Sequence, residues 1–199
     1  MLLLVPIAAG CDPPGGRVQF ADPTGDVAID QPWVGAPAPW AKAVDISAVS
    51  VDLPVGHVRT VLSIHGLDEV EFASTSPGSD VMYIVGWTAS GTGHDGEWVT
   101  RADFLDHAWW FRAEGPCLRP QPNGACAGAD RYIIEDLPGE VDLAAGTVTI
   151  WLPFQFFGGI QPDNRLAEFH AGTDLVWPTW PLYAGDRAWT SGASLVLPA

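Results

Sequence analysis

The chain has very little positive charge: Lys42 is its only lysine, and 24 acidic residues stand against 9 basic ones for a formal net charge of -15. Such a surface repels phosphate backbones, which excludes nucleic acid as a partner and leaves divalent cations and neutral ligands as better fits. Acidity also arises for solubility alone, so charge by itself names no site. There is no apolar run approaching the roughly 20 residues that a bilayer-spanning helix needs. Amphipathic helical runs of ten or more residues are missing too. The signatures of nucleophile elbows (G-x-S-x-G), zinc proteases (H-E-x-x-H) and phosphate-binding loops do not occur, and the five histidines are scattered. With 199 residues the chain suits a single domain with a real core.

What is present is a succession of short apolar runs between Gly-, Pro- and Asp-rich breaks. The 22 glycines and 18 prolines follow no fixed period, so collagen and solenoid readings fail. Arg17 to Phe20 is a short strand candidate, and Val44 to Leu53 and His57 to His65 follow on either side of Pro54-Val-Gly56. In the latter run Val58, Thr60, Leu62 and Ile64 fall on one face and Arg59, Ser63 and His65 on the other, the mark of a half-buried antiparallel strand paired with its predecessor. Further candidates are Val81 to Trp87, Glu97 to Arg101, His107 to Ala113, Arg131 to Glu135, Thr147 to Leu152, Arg165 to Ala171 and Ala193 to Leu197. So many strands in one chain predict an all-β, two-sheet antiparallel β-sandwich, jelly-roll or immunoglobulin-like. Short helical turns are expected at Phe154 to Gly159 and at Ala102 to His107. The expected organisation is a signal-peptide remnant over 1–10, a Pro/Gly-rich linker with the first edge strand over 11–43, and the sandwich over 44–199.

The opening segment, Met1-Leu-Leu-Leu-Val-Pro-Ile-Ala-Ala-Gly-Cys11, resembles a bacterial lipoprotein processing site, which implies export and acylation of Cys11. It departs from that pattern in its short apolar run, in having no Lys or Arg before it, and in Ala8 where such sites usually carry Leu. A start codon placed too far downstream, or a free or buried thiol at Cys11, are the alternatives. Cys117 and Cys126 bracket a turn-rich segment with two prolines and Asn-Gly, so a disulfide closing a hairpin-like loop is expected there. Zinc ligation would need further Cys or His at fixed spacing. Closing a loop of about ten residues is worth roughly 2.5–3 kcal/mol in the chain-entropy model, and the bond belongs to an oxidising compartment.

Asp22-Pro-Thr-Gly-Asp26, the Val44 to Val51 strand, Tyr83-Ile-Val-Gly-Trp87, and Gly146-Thr-Val-Thr-Ile-Trp-Leu-Pro153 followed by Phe157-Gly-Gly159 occur in an order that resembles family 9 carbohydrate-binding and DOMON-type modules of bacterial secreted proteins. The resemblance spans about residues 18 to 197. It implies a jelly-roll-like sandwich, does not imply catalysis, and transfers no ligand-binding residue.

Three constellations are candidates for chemistry. Gly91-Thr-Gly-His-Asp-Gly96 spells a dinucleotide fingerprint, but Glu97-Trp-Val-Thr100 after it reads as a strand where a helix is required, so a hairpin turn is expected. Asp22, Asp26 and Asp30 sit in a Gly/Pro-turned segment with Asp45 opening the next strand, a mixture of carboxylates and free carbonyls that suits calcium; the alternative is aspartates capping their own turns. Ten tryptophans include the adjacent pair Trp109-Trp110, of which one must face outward. They also include Trp177-Pro-Thr-Trp180, whose polyproline spacing puts both indoles on one side. Trp177, Trp180 and Trp109 are the candidates for stacking on a sugar ring, the alternative being a lid over the core.

The reading as a whole is a monomeric, lipid-anchored, non-enzymatic binding or structural module at the cell surface or in the envelope. Its expected partner is a glycan or a cell-surface protein, with membrane contact only through the anchor. The alternatives are a carbohydrate-binding module with a calcium-shaped loop and an extracellular hydrolase.

Overall fold

A computed structural model describes residues 16–29, 39–73, 80–91, 95–116, 131–157, 164–176 and 183–197. The sites expected at Cys11, Asp30, Cys117, Cys126, Trp177 and Trp180 lie outside them. The described chain forms β1 (Arg17–Ala21), β2 (Ala28–Ile29), β3 (Ile46–Asp52), β4 (His57–Ile64), β5 (Asp80–Ser90), β6 (Gly96–Leu105), β7 (Ala108–Pro116), β8 (Arg131–Ile134), β9 (Gly139–Asp142), β10 (Thr147–Pro153), β11 (Arg165–Val176), β12 (Tyr183–Trp189) and β13 (Ser194–Val196). Helical structure among the described residues is limited to 3-10 turns at Pro39–Val44, Leu67–Glu69 and Phe154–Phe157 and one α-helical turn at Val70–Ala73.

Two antiparallel sheets pack face to face. One has five strands in the order β1-β3-β4-β10-β9; the other has eight, in the order β2-β12-β11-β5-β6-β7-β8 with β13 beside β11. The β3–β4 hairpin forms as the sequence predicts, with Val49 opposite Leu62 and Val51 opposite Thr60. The strict alternation of β4 buries Val58, Thr60, Leu62 and Ile64. These meet Val81, Tyr83, Val85 and Trp87 of β5 and Trp98, Ala102 and Phe104 of β6 in one continuous core. Trp87 and Trp98 are cross-strand partners and wholly buried, each removing about 4–6 kcal/mol worth of apolar surface from water. Between the sheets, the hydroxyls of Thr60 and Thr100 meet at 3.0 Å, so two buried polar groups satisfy each other across the sandwich.

The expected helical turn at Ala102 to His107 is instead strand. Its residues through Leu105 continue β6, and Asp106 and His107, both at positive φ (50° and 62°), make the two-residue turn into β7. Such a turn needs two left-handed residues, which matches the right-handed twist of the flanking strands. The strands on either side of the G-x-G-x-x-G segment, β5 and β6, pair antiparallel, so a strand follows where a dinucleotide site needs a helix. The 3-10 turn after Pro153 is where the sequence puts it.

Candidate metal centre

The connection from β1 to β2 runs from the edge strand of the five-stranded sheet to the edge strand of the eight-stranded one. The Asp22 N–H gives the last bond of the ladder, to the Ser47 carbonyl at 3.1 Å; Pro23 has no N–H to continue it. Gly25, at φ +88°, completes the reversal in a conformation that side chains disfavour. The turn brings Asp22 and Asp26 to a third carboxylate, Asp186 of β12, and ligand oxygens of the three lie within 4.8 Å of one another.

The floor of this group is fixed by both sheets. Asp186, 5% exposed, accepts hydrogen bonds from the Ile46 N–H at 2.8 Å and the Arg187 N–H at 2.7 Å, so one carboxylate ties β12 to the start of β3. Beside it Thr173 donates to the Val44 carbonyl and accepts from the Asp186 N–H. Asp45, the fourth carboxylate expected at this site, stands beside the group. It is buried, its two oxygens accept the Gly25 N–H at 3.0 and 2.9 Å, and His65 Nδ1 lies 3.2 Å away. It therefore holds the turn that presents Asp22 and Asp26, and it stands next to the three clustered carboxylates without being one of them.

Packing carboxylates this closely has an electrostatic cost. Burial, then the charges of Asp186 and Asp26, raise the Asp22 pKa to about 6. Asp186 is raised as well, first by burial and also by Asp26 and Asp45, against the opposing effect of its two N–H donors. One oxygen of Asp22 is buried with no hydrogen-bond partner among the described residues. A cation answers each of these features. Oxygens that bind calcium at 2.3–2.6 Å can lie up to about 5 Å apart, so the observed 4.8 Å spread fits one ion. An all-oxygen donor set suits calcium or magnesium and not a soft metal.

Sequence reasoning reached Asp22 and Asp26 but missed Asp186. The β12 strand escaped notice because Tyr183-Ala-Gly-Asp-Arg-Ala-Trp189 alternates small residues and charge in place of bulky apolar ones. The signal was there in period two, since Ala184, Asp186 and Ala188 all face inward and are buried. Of the adjacent tryptophans, one packs inward and the other faces out. The Trp109 ring lies 4.9 Å from Phe104, 5.6 Å from Tyr83 and 6.5 Å from Phe111, packed on the core, and the outward indole is Trp110 at 56% exposure.

Fold and site together define an all-β sandwich with an acidic loop centre at the margin between its two sheets. No protein-family model, curated protein or solved structure matches the chain.

Proposed function

We propose that the chain is a non-enzymatic binding module of the cell surface whose β1–β2 loop is organised by a bound calcium ion. The observation that carries this is the convergence of Asp22, Asp26 and Asp186, with one Asp22 oxygen buried and without a hydrogen-bond partner among the described residues. Three carboxylates held together from two sheets repel one another unless a proton or a cation sits among them, and above about pH 6 a cation is what remains. The site lies where a loop joins the two sheet edges, which suits an ion that fixes structure. The acidic, lysine-poor composition and the Ala-Gly-Cys11 segment support a place outside the cytoplasm, with Cys11 as the point of lipid attachment. Likeness to family 9 carbohydrate-binding and DOMON-type modules belongs to the same reading.

The test is calorimetric and thermal titration with calcium. Binding with a rise in melting temperature, both lost in Asp186→Asn and Asp22→Asn, is the expected result; no heat and no shift at millimolar calcium would end the reading.

A further inference from the structure

A cavity of about 260 Å³ opens on the outer face of the eight-stranded sheet, beside Trp110 and the Glu135-Asp136 corner that follows β8. It shares no residue with the acidic centre. Four buried polar side-chain atoms have no hydrogen-bond partner among the described residues, and two of them, Asp80 Oδ1 and Arg112 Nε, belong to side chains that line this one cavity. Burying a polar group without a partner costs more than an ordinary hydrogen bond returns, so such atoms are rare in a folded chain. Of this pair one is an acceptor and the other a donor.

We infer that the cavity binds a small zwitterion of the amino-acid type, its primary ammonium on Asp80, its carboxylate on Arg112 and its apolar part on Trp110. The inference goes beyond the calcium reading, and either can fail without the other. Register sets the three contacts in order. Asp80 pairs with Leu105, Trp110 with Asp103 and Arg112 with Arg101, so on this face the indole occupies the row between those of the acceptor and the donor. Between them lies a fixed pair: Arg101 bonds Asp103 at 2.5 Å and reaches Asp80 Oδ2 at 3.3 Å. Arg112 Nε lies 3.2 Å from the second Asp103 oxygen but is not aligned to donate to it. The buried Asp103 is thus engaged by Arg101, which leaves Arg112 Nε open on one side and Asp80 Oδ1 on the other.

A cation alone would leave the Arg112 donor open, and an anion alone the Asp80 acceptor. A hydroxyl can meet either group, but with a bond less strong than the charge-assisted one that an ammonium or a carboxylate forms. Both side chains reach the cavity, at 26% and 31% exposure, so rotation of either head group presents its open atom to a ligand. Burial, then the charge of Asp103, raise the Asp80 pKa against the opposing charges of Arg101 and Arg112; a bound ammonium adds to the opposing side. Leu105 and Phe111 join Trp110 in the apolar part of the lining. The volume lies just under the roughly 300 Å³ at which ordinary small-molecule sites begin, which fits an amino acid or a short peptide.

Calorimetric and NMR titration with leucine, phenylalanine and the dipeptide Leu-Leu tests the site, beside four controls: isopentylamine, 4-methylpentanoate, methyl glucoside, and glycine betaine, a zwitterion without an N–H. At least one of the first three should bind with a dissociation constant on the order of 1 mM or tighter, and the tighter of leucine and Leu-Leu tells a free amino acid from a short peptide. The controls should bind at least about tenfold more weakly. Trp110→Ala should cost about tenfold in affinity with an unchanged melting temperature, since the indole is exposed. Asp80→Asn should weaken leucine by about tenfold and leave 4-methylpentanoate as it was, and Arg112→Gln should weaken leucine alike and leave isopentylamine as it was; a merely structural role would move all ligands together. The response of the melting temperature to calcium should stay at its wild-type value in each variant, so failure here leaves the calcium reading standing. No binding at about 10 mM, a control bound as tightly as the zwitterions that carry N–H donors, or wild-type affinity in Trp110→Ala would each overturn the inference.

Discussion

Stripping divalent cations and then raising the pH should destabilise the domain, and calcium should undo the effect. In the folded chain Asp22 has its pKa raised from 3.8 to about 6, so the folded state holds a proton that the unfolded state has already released. The stability this proton represents is fully present below about pH 3.8 and is lost as pH rises through about 6. A shift of this size is worth at most about 3 kcal/mol, and the partial exposure of Asp22 reduces it to about 1–2 kcal/mol. Calcium at a hundred times its dissociation constant contributes about 2.7 kcal/mol. At roughly 2–4 °C per kcal/mol for a chain of this size, that is a rise of about 5–10 °C at pH 8. At pH 4, with Asp22 largely protonated, calcium competes with protons and the rise should nearly vanish. Differential scanning fluorimetry across pH 4 to 8, in EDTA and in calcium, reads both slopes. Asp22→Asn removes the repulsion and a ligand together, so in EDTA at pH 8 it should melt at or above the wild type while losing the calcium response. Coincident wild-type curves with and without calcium at pH 8, or a full calcium shift in Asp22→Asn, would refute the reasoning.

Three further outcomes follow from the core. Tyr83→Phe removes the hydroxyl that donates to the Ala43 carbonyl at 2.8 Å, leaving a buried acceptor unpaired; urea unfolding should show a loss of about 1–2 kcal/mol with an unchanged m-value, and an unchanged midpoint would contradict the bond. A Cβ at position 115 would lie 2.6 Å from the wholly buried Trp98 ring, so Gly115→Ala should cost about 2–3 kcal/mol or prevent folding; a wild-type melting temperature would show that β7 packs differently there. Thr60→Val deletes the hydroxyl contact between the sheets while Thr100 keeps the Val85 carbonyl at 3.3 Å, so its cost should be about 1 kcal/mol, well below that of Gly115→Ala in the same assay.

The two-sheet sandwich was legible because it is written in period two. Val58, Thr60, Leu62 and Ile64 announce their buried face by alternation alone, and the Gly/Pro/Asp breaks mark where each strand ends. What escaped were elements whose existence depends on a partner far along the chain. β2 is two residues that pair only with Ala184 and Gly185, and β9 is four residues held to β10; neither has enough apolar content to declare itself. The left-handed turn at Asp106-His107 is less legible for a related reason, because its signal is an Asp and a His, which tolerate positive φ, and not the Gly or Asn that marks such a turn most strongly.

The metal centre divides along the same line. Its local half, Asp22 and Asp26 across a Pro-Thr-Gly turn, is a sequence pattern, and physical chemistry alone could propose oxygens for calcium there. Its distant half, Asp186, is supplied by register: the Thr173–Asp186 pairing in β11–β12 sets that carboxylate on the inner face, where the Ile46 N–H fixes it. A slip of one residue would turn Asp186 to the outer face and put Arg187 in its place, converting a cation site into one that repels cations. The same register puts Arg187 outside, where its guanidinium bonds the Thr173 carbonyl and Asp174. The Thr173 bond to Val44, at the end of the 3-10 turn before β3, and the Asp186 bond to Ile46 of β3 therefore fix the β12 register and, with it, the position of the third carboxylate.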